Sequence, residues 1–141
     1  MGVAANKALV GRYVNLYAMG EGTLADEIIA ADFVDHTHPE AVPGPEGVKR
    51  EVAAFRAAFP DATVAVEQVI GEGDIVAFRF TIQGTQQGSF GAIAPTGKRV
   101  TLTGMDFIRI VDGKLTELWS NQDTLGLLRQ LGAAPSSEQD T

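Results

Sequence analysis

Between Asn6 and Met19, the residues Leu9, Tyr13, Leu16 and Tyr17 recur at helical spacing, and Val10 and Val14 widen the apolar stripe. This predicts a first amphipathic helix. Gly20 and Gly22 end it, and Thr23 followed three residues later by Asp26 has capping-box spacing, opening a short second helix through Ile29. HTHPEAVPGPEG, residues 36–47, is too rich in Pro and Gly for regular structure, so His36 and His38 belong to a strand end or loop. A third helix begins near Pro45, carries Val48, Val52, Phe55 and Phe59 on one stripe, and stops at Pro60. The period then changes. TVAVEQVI, the turn GEGD and IVAFRFTIQGT form a hairpin rich in β-branched and aromatic residues. After the Gly-rich QQGSFGAIAPTG, the run KRVTLTGMDFIRIV turns at Asp112-Gly113 and returns as KLTELWSN. Thr124 to Leu131 reads as a closing helix ended by Gly132. Helices first and antiparallel strands after is the α+β order, with the helices packed on one face of a sheet. Residues 1–132 read as one domain and 133–141 as a flexible polar tail.

The second hairpin can be placed in register. With Asp112-Gly113 as a two-residue turn, Val111 faces Lys114, Asp106 faces Trp119 and Gly104 faces Asn121. One face then carries Val100, Leu102, Gly104, Asp106, Ile108 and Ile110 from one strand, with Leu115, Glu117, Trp119, Asn121 and Asp123 from the other. Convergent polar groups on an apolar wall are the makings of a small-molecule pocket. A β-bulge would shift this parity.

Composition narrows the function. The chain has 141 residues, 45% of them hydrophobic, enough for a core and a ligand-sized hollow. A formal charge of −7 with scattered Lys and Arg argues against nucleic acid as partner. With no cysteine, thiolate chemistry and cysteine-bound metals are excluded, and a reducing cytoplasm fits. No stretch has the length for a bilayer span, so a membrane is not an expected partner. His36 and His38 offer two metal ligands but no third histidine exists, so no metal is expected. There is no G-x-S-x-G elbow, and GEGDIV lacks the third glycine and the helix of a dinucleotide fingerprint.

The motifs FVDHT (33–37), GPEGVK (44–49), FPDATVAVEQVIGEGDIVAFRFTIQGTQQGSF (59–90), PTGKRV (95–100) and FIRIVDGKLTELWSNQDTLGLLRQLG (107–132) together resemble the SnoaL-like polyketide and ester cyclase family. That family belongs to the superfamily of ketosteroid isomerase and scytalone dehydratase. The resemblance covers residues 6–132 and implies a cone-shaped barrel: amino-terminal helices on a strongly curved, mainly antiparallel sheet that encloses a pocket. It also implies a homo-oligomer, dimer or tetramer. It makes Asp123 in WSNQD the acid/base group and His36 in DHT the pocket histidine. The family's glycine before PTG is Ala92 here, which would reshape the pocket mouth, and the role of Asp106 is not inherited.

The resulting expectation is cofactor-independent acid/base catalysis on a small, largely apolar carbonyl compound, most concretely an intramolecular aldol cyclisation of a polyketide-type ester. Asp123 would move the proton, His36 would hydrogen-bond it or the substrate, and Asp106 with Asn121 would stabilise the enolate. Trp119, Gly104, Ile108, Phe55 and Tyr17 would complete the binding surface. Asp123 has a second reading as the N-cap of the closing helix, and His36 one as a loop hydrogen-bonder. The alternatives are an isomerase, dehydratase or epoxide hydrolase in the same pocket, the last with Arg79 between two acids, and a non-catalytic ligand-binding protein.

Overall fold

The computed structural model describes residues 2–133. In chain order it contains α1 (Val3–Met19), α2 (Gly22–Ile28), β1 (Ile29–Asp35), α3 (Pro45–Ala58), β2 (Thr63–Glu72), β3 (Ile75–Thr85), β4 (Arg99–Val111), β5 (Lys114–Gln122) and α4 (Thr124–Gln130). All but Ala133 of the polar tail lies outside the described residues. No helix among them is long and apolar enough to cross a membrane.

The strands form one sheet in the order β1-β5-β4-β3-β2. Only β1 and β5 run parallel, and the other pairs are antiparallel. The sheet has two free edges, so the cone is not closed by strands alone. Helices supply the missing wall. Leu9, Val10, Tyr13 and Leu16 of α1 and Val48 and Val52 of α3 pack on Val76, Phe78, Phe80, Ile108 and Ile110 of β3 and β4. A second cluster joins Leu127 and Leu131 to Val100, Leu102, Ala58 and Phe59, which docks α4 against the end of the sheet.

β1 departs from the sequence reading. IAADFVD has no strand-like alternation of its own, and it is extended because it pairs with a strand about eighty residues later, Asp35 lying beside Leu118. The second departure is a bulge in β5. Val111↔Lys114 and Ile110↔Leu115 pair as the turn requires, but the next pair is Arg109↔Glu117, leaving Thr116 as the extra residue. Every position beyond it changes face. Asp106 lies opposite Ser120 and Phe107 opposite Trp119.

Burial explains the preference for the bulge. Leu115 and Leu118, three residues apart, are both buried on the inner face, which simple alternation forbids and one extra residue allows. The same shift carries Glu117 outward, where it accepts from Arg109 Nε at 2.6 Å while Asp74 takes Arg109 Nη1 at 2.8 Å. An unbulged strand would bury Glu117 and expose Leu118, which costs on both counts.

Candidate active site

A cavity of about 380 Å³ lies between α1, α3 and the inner face of the sheet. Its walls are mostly aromatic and aliphatic: Phe55 and Phe59 from α3, Phe78 and Phe80 from β3, Leu102 from β4 and Leu118 from β5. The inner face of β3 is therefore the Phe78, Phe80, Ile82 set. Arg79, Thr81 and Gln83 alternate with it on the outer face, where Arg79 Nε donates to Gln68 Oε1 at 3.1 Å. Among the described residues, no lysine or arginine lines the cavity. The Asp-Arg-Asp arrangement of the epoxide-opening alternative thus lacks its arginine.

Asp106 is the acid that the cavity isolates. It is 5% exposed, and its Oδ1 has no hydrogen-bond partner among the described residues. Burial pushes its carboxyl up from 3.8 to about 6; the facing Ser120 hydroxyl works against that shift, and repulsion from Asp35 and Glu51 adds to it. The position follows from β4 itself, whose even-numbered residues alternate inward from Val100 to Ile110. Gly104 shares that face but is covered: a Cβ there would lie 2.5 Å from Phe80 Cζ, so the missing side chain makes room for the Phe80 ring. Ile108 is fully buried in the core beneath. Neither lines the cavity.

Three further ionisable groups gather where β1 meets α3. Asp35 points inward at the end of β1; its Oδ1 accepts from the backbone N–H of Thr37 at 2.9 Å and of His38 at 3.3 Å. His38 Nδ1 donates to Asp35 Oδ2 at 3.0 Å. That bond holds the His38 imidazole above its ordinary range, burial opposing it. Glu51 of α3 completes the group, with ligand atoms of all three within 4.8 Å of one another. These are the residues that could hold a cation, although both oxygens of Asp35 are already engaged within the turn. Glu51 and His38 are exposed residues; partial desolvation of the Glu51 carboxyl and then Asp35 push it up, against the pull of His38 and Tyr17. Tyr13 and Tyr17, with ring centroids 5.6 Å apart, are driven by burial well above the ordinary phenol value and remain donors.

His36, Trp119, Asn121 and Asp123 require correction. Trp119 and Asn121 face outward because of the Thr116 bulge. His36 follows the inward Asp35, so it also points outward; its ring stacks on Trp119 at 4.9 Å, and Nε2 bonds Glu117 Oε1 at 3.0 Å. His38, two residues on, is returned to the cavity by the turn. Asp123 is the N-cap of α4, its Oδ1 accepting from Gly126 N at 3.0 Å, and it does not line the cavity. Of the expected set, Asp106, Phe55 and Tyr17 line it. Asp35, His38, Glu51, Ser120 and Gln122 were missed. Glu51 carried a signal: it sits at helical spacing between Val48 and Phe55, on the stripe of α3 that faces inward.

Asp123→Asn is expected to leave stability within about 1 kcal/mol, since Asn caps as well as Asp, and to leave turnover unchanged. Thermal melts and a rate assay of the one variant check both.

The loop between β3 and β4 closes one side of the cavity with Ser89, Phe90 and Gly91. Its anchor is Gln86, fully buried, whose Nε2 donates to the carbonyls of Ile93 and Ala94 and whose Oε1 accepts from Thr96 N at 3.0 Å and Thr96 Oγ1 at 2.6 Å. Gln86→Leu would break all four bonds that anchor the loop, though Ala94 and Thr96 are exposed and their freed groups can turn to water. Urea unfolding should show a loss of about 1–2 kcal/mol.

Sequence and structure comparisons show what the chain is similar to. The family model described as SnoaL-like polyketide cyclase matches residues 7–131. The aklanonic acid methyl ester cyclase DnrD of Streptomyces peucetius is 30% identical over 128 residues, 88% of this chain and 88% of its own. The aklanonic acid methyl ester cyclase DauD of Streptomyces sp. (strain C5) is also 30% identical, covering 88% of this chain and 80% of its own. Among solved structures, TsrD from Streptomyces laurentii superposes with a TM-score of 0.89 at 26% identity, over 95% of this chain and 99% of its own.

Proposed function

The chain belongs to the SnoaL-like polyketide cyclase family, and from that premise we propose that it closes a ring in a polyketide-type ester by an intramolecular aldol reaction, with Asp106 moving the proton. The observation that carries this reading is Asp106, a buried carboxyl that lines a cavity walled mostly by aromatic and aliphatic side chains and whose Oδ1 has no hydrogen-bond partner among the described residues. A carbon between two carbonyls bears protons acidic enough for a carboxylate, provided the carboxylate is more basic than usual. Burial makes Asp106 so.

In the proposed sequence, Asp106 takes the proton from that carbon, and the enolate oxygen is met by donors. The phenols of Tyr13 and Tyr17 are the donors facing the cavity, beside the His38 ring that Asp35 holds through Nδ1. The enolate carbon then bonds to a ketone carbonyl of the same molecule, and the alkoxide recovers the proton. No atom is gained or lost, and the chemistry asks for no cofactor. The mixed lining, apolar rings interspersed with polar groups, suits a flat, largely apolar substrate.

We propose further that the protein acts as a homo-oligomer in the cytoplasm. Met105, Phe107 and Trp119 are exposed together on the outer sheet face, where Arg109 is neutralised by Asp74 and Glu117, so a second copy would meet an apolar patch with its neighbouring charge paired. Multi-angle light scattering distinguishes monomer from dimer or tetramer.

Function is tested by incubating the protein with an aromatic polyketide-type methyl ester bearing a 1,3-dicarbonyl, in buffer containing EDTA. The expected product is cyclic and of unchanged mass. Tight binding without conversion, or conversion only on addition of a metal or redox cofactor, would overturn the proposal.

A further inference from the structure

We propose that Glu51 is the specificity-determining residue of this site: together with Asp35 and Asp106 it makes the cavity a charge filter that admits neutral and cationic ring compounds and rejects their anionic counterparts. The proposal rests on the functional reading above and specifies what kind of molecule the same cavity accepts.

The inventory of charge facing the cavity is lopsided. Three carboxylates line it, from β1, α3 and β4, against one imidazole, His38, and that group is already spent on Asp35. The cations of α3 itself are turned elsewhere. Lys49 Nζ reaches Asp26 at 2.9 Å, Arg50 reaches Glu46 at 3.4 Å, and Arg56 holds the backbone carbonyls of Pro60 and Ala62. Arg109 is locked outside between Asp74 and Glu117. Among the described residues no lysine or arginine lines the cavity, and His38, paired with Asp35, is the one basic group there to meet a carboxylate or phosphate.

The second observation is Asp106. Asp106 is 5% exposed, lines the cavity and has one oxygen with no partner among the described residues, so its carboxylate is short of donors and an anionic ligand brings only another acceptor. A protonated amine, a hydroxyl or an acidic C–H satisfies it. The surrounding rings of Tyr17, Phe55 and Phe80 favour a cation over an anion for the same reason, since their faces are electron-rich. Among the three acids, Asp35 is compensated by His38 and Asp106 is needed for the proton. Glu51 is left as the group whose charge selects the ligand.

The test uses binding, so that its outcome is independent of turnover. Calorimetry at pH 7.5 compares methyl 2-naphthoate, 2-naphthoate and 2-naphthylmethylammonium, three probes of one shape and different charge. The acid is expected to bind at least roughly tenfold more weakly than its ester, and the ammonium at least as tightly as the ester. Glu51→Gln should narrow the ratio of ester to acid by about threefold or more while leaving the affinity for the ester nearly unchanged. Glu51→Met, a second uncharged side chain of similar length, should behave alike, and keeps the test decisive if the amide variant folds poorly. The filter would be overturned by an acid that binds wild type as well as its ester, by a ratio that neither substitution moves, or by failure of all three probes to bind. An acid raised to the ester's affinity by added manganese would also overturn it, showing the cluster to be a seat for a metal. If cyclisation persists while the filter fails, only this inference falls.

Discussion

Asp106→Asn is expected to lower turnover by about a hundredfold to ten-thousandfold, the range that removal of a general base produces, while making the folded protein more stable at neutral pH. The sign follows from the raised carboxyl. Its folded value is about 6 against 3.8, so between those two pH values the folded chain keeps a proton that the unfolded chain releases. Stability therefore falls as pH rises through this window, and above it the cost is fully expressed, at most about 3 kcal/mol. The Asn variant escapes that cost at pH 7.5 and loses its advantage near pH 4. Activity falling while stability rises is the signature of a strained functional group, and a residue that only supports the fold would move both downward.

Gly47→Ala is expected to be the most damaging small substitution. A Cβ at Gly47 would lie 1.8 Å from the carbonyl oxygen of Val42 and 2.9 Å from its carbon, a collision with backbone that no rotamer relieves. The first turn of α3 would have to leave the 38–44 loop, at a cost of about 3 kcal/mol or more. Because α3 presents Glu51 and Phe55, the cavity should be lost with it. Gly11→Ala in α1 is the matched control: nothing lies within 4 Å of its Cβ, and the helix should gain up to about 1 kcal/mol. Urea unfolding of the two variants beside wild type measures both effects.

What the sequence made legible follows the range of the interactions involved. The stripes of α1 and α3 and the two hairpins are local patterns, and they appear within a few residues of where periodicity puts them. Asp106 was legible because β4 alternates without interruption, so its face is set by its own strand. Trp119, Asn121 and Asp123 were tied to that face through the turn, and a single extra residue, Thr116, reversed them. The odd spacing of the buried Leu115 and Leu118 was the trace of that bulge in the sequence. His36 and His38 exchanged roles for a related reason. β1 is held by a partner some eighty residues away, so neither its existence nor its parity is written locally. Once Asp35 is inward, His36 must face out, and only the turn capped by Asp35 brings His38 back.

The central claim is that a buried Asp106 moves the proton, and the dependence of kcat/KM on pH tests it most directly. For wild type, the account predicts activity that rises with pH through a midpoint near 6, the value to which burial holds Asp106, as the carboxylate forms. Asp123→Asn should reproduce that profile unchanged, since its side chain caps α4 outside the cavity. A rise centred near 4, a flat profile from pH 5 to 8, or an Asp106→Asn variant that retains wild-type rates would contradict the account.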